Sequence, residues 1–251
     1  MSAANPPDPR SLWLNSPDAL LQVLCVVAMN GHDARNFSSL SRAFRGDEVL
    51  WGCIKDRRGP KGRTVLMACS RRGDITRVRW LLNRSADANA AQTSNGWTSL
   101  MLASHNGRLE VVRELLGRGA NVNAAQTSNG WTSLMSACLK GHLEVVRELL
   151  GRGANVNAAQ TDTGWTSLMS ACQKGHLEVV RELLGRGANV NAAQTNNGWT
   201  SLMSACHKGH LEVARLLLAH HANKATRDRY GCTAYQYTPS ANAELRALVK
   251  P

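Results

Sequence analysis

Residues 130–154 read GWTSLMSACLKGHLEVVRELLGRGA, and NVNAAQTDTG follows at 155–164. Thr132 is a good N-cap, and Gly141 bounds the segment it opens. Within that segment Leu134, Met135 and Cys138 share one helical face at i, i+1 and i+4. Leu143, Val146, Leu149 and Leu150 form a second apolar stripe at i, i+3, i+6 and i+7. Gly151 and Gly153 are expected to end that helix, and the polar, turn-rich NVNAAQTDTG suits an extended loop. The unit is therefore helix, short turn, helix, long loop.

The unit recurs. GWTSLM begins at Gly96, Gly130, Gly164 and Gly198, each 34 residues after the last. GRTVLM at Gly62 lies 34 residues earlier, and GCTAYQ at Gly231 lies 33 residues later. Helices of about eight residues are marginal alone, because nucleation is costly. Their apolar faces can be buried only by stacking on neighbouring copies, which makes an all-α, one-dimensional solenoid.

The pattern G-x-T-x-L-x-x-A followed by GHLEVVRELLxxGANVN resembles the ankyrin repeat over about residues 58–250. The resemblance implies a helix-turn-helix plus hairpin loop in each repeat. Repeats are expected at 58–91, 92–125, 126–159, 160–193 and 194–226, with a shortened, capping sixth at 227–251. Two departures stand out. Ser99, Ser133, Ser167 and Ser201 replace the family's proline, and Met101, Met135, Met169 and Met203 replace its histidine. The methionines remove a side-chain hydrogen bond to the threonine but keep apolar packing. The 34-residue period places one extra residue in the loop between Asn123 and Gly130, giving a longer hairpin tip with the stack intact. The end units differ as caps should: Arg77 and Trp80 stand where the next unit has Val111 and Glu114, and the last carries Tyr230, Tyr235 and Tyr237.

The resemblance implies that hairpin tips and first-helix surfaces form a concave face that binds partners. One column of that face is Trp97, Trp131, Trp165 and Trp199; the next is His105, Leu139, Gln173 and His207. Beside it run Asn106, Lys140, Lys174 and Lys208. Large aromatics are enriched at binding hot spots, but a tryptophan column can equally stiffen the array by packing on adjacent hairpins. The lysines form one basic edge, or simply complement helix C-termini. The variable column is where a specific contact surface would be written.

Residues 1–15 are expected to form a disordered tail. Residues 16–55 differ from the repeats and read as three short helices. This segment resembles an F-box on Pro17, Leu20, Leu21, Leu40, Ser41, Phe44, Arg45, Asp47, Leu50 and Trp51, although Ser16 stands where the leucine before the proline belongs. That resemblance implies a substrate receptor of an SCF-type ubiquitin ligase, with these residues on the adaptor subunit. The alternative is a helical cap on the first repeat.

The chain of 251 residues carries a net charge of +12, with Lys55, Arg57, Arg58, Lys61 and Arg63 as its densest cluster. That stretch reads as a solvated linker, a nuclear import signal or a phosphate-contacting loop. Glu110, Glu144, Glu178 and Glu212 interrupt any continuous phosphate-tracking stripe, which argues against nucleic acid. Seven cysteines, three of them in one repeat column (Cys138, Cys172, Cys206), point to buried structural thiols rather than a disulfide framework. Reduced thiols fit a cytoplasmic or nuclear address. No apolar run reaches the roughly 18 residues of a membrane span. His142, His176 and His210 fall on separate repeats, Cys206, His207 and His210 lack paired zinc spacing, and no phosphate loop or nucleophile elbow is present. The sequence thus predicts a non-catalytic scaffold without cofactor or metal, monomeric, binding a protein partner.

Overall fold

The computed structural model describes residues 62–250. The expected tail, the F-box-like residues Pro17, Leu20, Leu21, Leu40, Phe44, Leu50 and Trp51, and most of the basic cluster lie outside the described residues.

Twelve helices stack in pairs among the described residues. They are α1 (Val65–Arg72), α2 (Ile75–Asn83), α3 (Ser99–His105), α4 (Leu109–Gly117), α5 (Ser133–Lys140) and α6 (Leu143–Gly151). They continue as α7 (Ser167–Lys174), α8 (Leu177–Gly185), α9 (Ser201–His207), α10 (Leu211–Ala219), α11 (Ala234–Tyr237) and α12 (Ala243–Val249). Odd-numbered helices pack on one another in succession, and even-numbered helices form a second layer behind them. Single antiparallel bridges, such as Ala125 with Thr132, close the hairpins between pairs. This is the all-helical solenoid that the repeat pattern predicts.

Each first helix starts as the sequence dictates. Thr132 has extended backbone, φ −111° and ψ 169°, and its hydroxyl accepts from the Met135 amide. Thr98, Thr166 and Thr200 do the same for their helices. This satisfies one of the donors that every helix N-terminus leaves open. Gly141 ends α5 in the left-handed region at φ 75°, where only glycine is free of penalty. An ideal Cβ there would lie 2.7 Å from the His176 ring of the next repeat.

The core is one continuous cluster. Leu134, Met135, Ala137 and Cys138 face it from α5; Val145, Val146, Leu149 and Leu150 face it from α6. The second stripe is thus corrected at one position. Val145 is buried where Leu143 was expected, and Leu143 is half-buried at the helix start. Gly151 is the last residue of α6, and Gly153, at φ 83°, makes the reversal. Cys138, Cys172 and Cys206 are buried free thiols, and burial pushes them up, Cys206 to about 11.

The extra residue lies in the hairpin tip. Gln126 N donates to Trp131 O, enclosing four residues, and Gly130 N donates to Gln126 O. In the last, 33-residue unit Asp228 N donates to Cys232 O and encloses three. The stack is unbroken at either size.

Four sets of polar links join successive repeats. From the second repeat onward, the N-cap residue of each second helix reaches back to the end of the preceding repeat's first helix. His142, His176 and His210 Nε2 lie 3.1, 3.3 and 3.2 Å from the carbonyls of His105, Leu139 and Gln173. A carbonyl only accepts, so Nε2 carries the proton. Arg108 does this job at one end and Asn242 at the other. In the loops, Asn123 Nδ2 donates to Gly153 O, and Asn155 N donates to Asn123 Oδ1, a pattern repeated from Asn89 to Asn223. Hairpin tips bond through their backbones, as Thr161 N to Asn129 O at 3.0 Å. On the outer helices Glu148 accepts from Arg113 of the previous repeat and Arg152 of its own.

The C-terminal unit closes the stack with different chemistry. Tyr237 donates to Asp228, whose other oxygen accepts from the amides of Tyr230 and Cys232. Tyr235 lies under the Arg246 guanidinium. Tyr230, by contrast, stands out from its tip, 77% exposed.

Three substitutions test this account by denaturant unfolding. Gly141→Ala is expected to cost more than about 1–2 kcal/mol, the left-handed penalty alone, because its Cβ also meets His176. Gly151→Ala, helical and with open space around it, is expected to stabilise by about 0.5–1 kcal/mol. Ser133→Pro is expected to stabilise by about 1 kcal/mol. Ser133 is the first helical residue, its buried hydroxyl has no protein partner, and the extended Thr132 suits a following proline.

Candidate functional site

The tryptophans sit where each hairpin enters its first helix. The backbone of Trp131 is held on both sides: its carbonyl accepts from Gln126 N, and its amide donates to Asn129 Oδ1 at 3.1 Å. Its indole lies along its own helix, and Nε1 donates to Ser136 Oγ at 2.7 Å. Trp165 and Trp199 repeat this bond on Ser170 and Ser204. These serine hydroxyls donate onward to the carbonyls of Thr132, Thr166 and Thr200. Trp97 has Leu102 at the serine position and instead meets His105 edge-on, with ring centroids 5.8 Å apart. The Trp–Ser anchor escaped sequence reasoning, although the i, i+5 pair recurs in three repeats.

All four tryptophans are half-buried. Among the described residues no ring contact joins one to another, so the column is a row of separate indoles rather than a continuous stack. Trp199 alone has an aromatic neighbour from the next unit, Tyr237, at 4.3 Å. His207 meets Trp199 edge-on at 5.9 Å.

The second column lies beside the first. His105, Leu139 and Gln173 are half-buried, and His207 is exposed. Lys140 and Lys174 end their helices, and Lys208 caps α9. All three lysines are exposed. The structure therefore brings the three predicted columns onto one face. Between repeats four and five that face holds a groove of about 320 Å³, lined by Trp165, Gln173, Gln194, Asn197, Trp199, Ser204, His207 and Lys208.

The opposite face is of another kind. Two clefts of about 290 and 310 Å³ lie between second helices, lined almost wholly by arginines and glutamates. Those side chains already satisfy one another: Arg113 bonds Glu110 and Glu148, and Arg147 bonds Glu144 and Glu182.

Among the described residues no cluster of three or more histidine, cysteine or acidic side chains could hold a metal ion. His142, His176 and His210 are each committed to a carbonyl of the preceding repeat. No described helix is long and apolar enough to cross a membrane.

His105 carries a charge-sensitive element. Burial holds its imidazole below its ordinary value, helped by Lys140 and His142. A depressed histidine favours the native state while neutral. Its contribution is present above the ordinary value of 6.5 and is lost as pH falls through the lowered one. His105→Gln is therefore expected to flatten the decline of melting temperature between about pH 7 and pH 5. An unchanged slope would place the dependence elsewhere.

No curated protein matches the chain. Family models do. The model described as ankyrin repeats (3 copies) matches residues 24–126 and 118–194, and that described as ankyrin repeats (many copies) matches residues 190–237. Ankyrin repeats generally mediate protein–protein interaction and are typically non-catalytic. With most of its length matched, and with paired helices stacked through hairpins and shared loop bonds, this chain belongs to the ankyrin-repeat family.

Proposed function

We propose that this chain is a scaffold that captures a partner protein on the face formed by its first helices and hairpins. The observation that carries this reading is the groove between Trp165 and Trp199. Its aromatic walls are held rigid by hydrogen bonds that the indoles donate to Ser170 and Ser204. Rigid aromatics lose little entropy on binding, which is why they make good anchors. Gln173 and His207, which differ between otherwise near-identical repeats, both line it. The second-helix face lacks such a feature, because its charges are spent on each other. On this reading the protein works as a monomer in the cytoplasm or nucleus, and Trp97, Trp131, His105 and Leu139 extend the same surface.

A role as receptor of an SCF ubiquitin ligase rests on the N-terminal resemblance alone. The ankyrin match already begins at residue 24 and takes in Leu40, Phe44, Leu50 and Trp51.

The test is affinity purification with the full chain. Trp165→Ala with Trp199→Ala is expected to weaken the partner's binding by about 2 kcal/mol or more, the usual cost at a hot spot. Gln173→Arg with His207→Arg, at positions outside the core, is expected to do likewise without lowering the melting temperature. Arg113→Gln with Arg147→Gln, on the opposite face, is expected to leave binding intact. Partners that survive both groove variants would overturn this assignment.

A further inference from the structure

We propose that the partner segment is acidic and polyproline-like, with a carboxylate at every third residue lying over Lys140, Lys174 and Lys208. This rests on the binding face argued above and adds the chemistry of its occupant.

The first observation is the imbalance of charge between faces. Glutamates of the second helices are each engaged by arginine, as Glu114 by Arg79 and Arg118 and Glu182 by Arg147 and Arg186. The three lysines are different. They are exposed, and among the described residues none makes an ion pair or hydrogen bond. In the first repeat the helix ends on exposed Arg71 and half-buried Arg72, and Asn106 interrupts the row in the second. Carboxylates on that side are few. Asp228 is buried and held by Tyr237, and Asp162 sits out at a hairpin tip. The edge therefore carries uncompensated positive charge in a row, which is complementary to an acidic segment.

The second observation is spacing. Successive first helices pack side by side, and packed helices stand about 8–10 Å apart. The lysines occupy equivalent positions on three of them, so their spacing follows that repeat. A polyproline II helix has three residues per turn and rises about 3.1 Å per residue, so one of its edges recurs every ~9.3 Å. Positions i, i+3 and i+6 then face one lysine each. An extended β-strand cannot do this, because successive third residues point to opposite sides.

The third observation is the groove beside the row. Trp165 and Trp199 flank it, and Gln173, Gln194 and Asn197 line it between them. Polyproline segments dock on aromatic-lined grooves, with side-chain donors for their free carbonyls. One edge of the segment would meet the lysines while another enters the groove. A nucleic acid fits less well. Its backbone phosphates recur about every 3.4 Å of duplex axis per strand, far more closely than these cations.

The test uses fluorescence anisotropy with the full chain and two labelled proline-rich peptides of identical composition. Each carries three glutamates, at positions i, i+3 and i+6 in one and at i, i+2 and i+4 in the other. The first is expected to bind about tenfold more tightly, and Lys140→Gln/Lys174→Gln/Lys208→Gln is expected to abolish that preference at unchanged melting temperature. Equal binding of the two peptides, indifference to the lysine variants, or tighter binding of an oligothymidylate of equal charge would each overturn the proposal. A natural partner lost with Trp165→Ala/Trp199→Ala but retained by the lysine variant would leave the binding face standing and remove only this account of its occupant.

Discussion

Everything in this structure depends on how closely one first helix can approach the next. Ser133, Ser136, Ala137 and Cys138 of α5 are wholly enclosed, and their equivalents in α7 and α9 are nearly so. Small side chains at these positions let the helices pack at close range, and each helix thereby supplies the cover that its neighbour lacks. The consequence is that stability belongs to the interfaces more than to the units. A pair such as α5 and α6 has its core residues divided between its own contact and two contacts with other repeats. The close approach also has a cost. Buried serine hydroxyls at 99 and 133 are without protein partners, and an unsatisfied buried polar group is destabilising.

The polar links then fix what the apolar contact leaves free. Hydrophobic burial is non-directional and would tolerate sliding of one repeat over another. A histidine reaching the previous helix's last carbonyls, an asparagine bridging two loops and a backbone bond between hairpin tips each demand one register. Between repeats three and four and between repeats four and five all three are present at separate points of the interface, so together they set both the rotation and the translation per repeat. That is why substituted copies still stack: Arg108 and Asn242 replace the histidine at the two ends without loss of the link.

The fold was legible because the repeat exposes its own logic. Threonine caps, glycine reversals and apolar stripes recur in register, and each has a local physical meaning. The links between copies were not legible in the same way. His142 reads locally as a residue at a helix start, and its partner lies 37 residues back. The choice of Leu143 over Val145 for the second stripe failed for a related reason. An isolated helix has one apolar face, but α6 is covered both by its own α5 and by α4 and α8, which widens its buried arc to include Val145. The tryptophan column was readable as a column, whereas its anchoring to Ser136, Ser170 and Ser204 needed the geometry. Those bonds decide that the indoles are fixed to their own helices and do not stack on each other.

The two faces of the solenoid follow from a single division of labour along the sequence. Arginine and glutamate alternate on the second helices at spacings of three, four and 35 residues, so nearly every charge there finds an opposite within the stack. A surface neutralised in this way has little left to offer a partner, since any new ion pair must replace an existing one. The first helices carry almost no acid, and their lysines fall at the C-terminal ends, where the helix dipole already favours a cation. Charge there costs the fold nothing and remains available. Near-identical repeats can therefore keep one surface constant to hold the array together, while the short stretch from Leu139 to Lys140, and its counterparts in each copy, is free to vary with the partner.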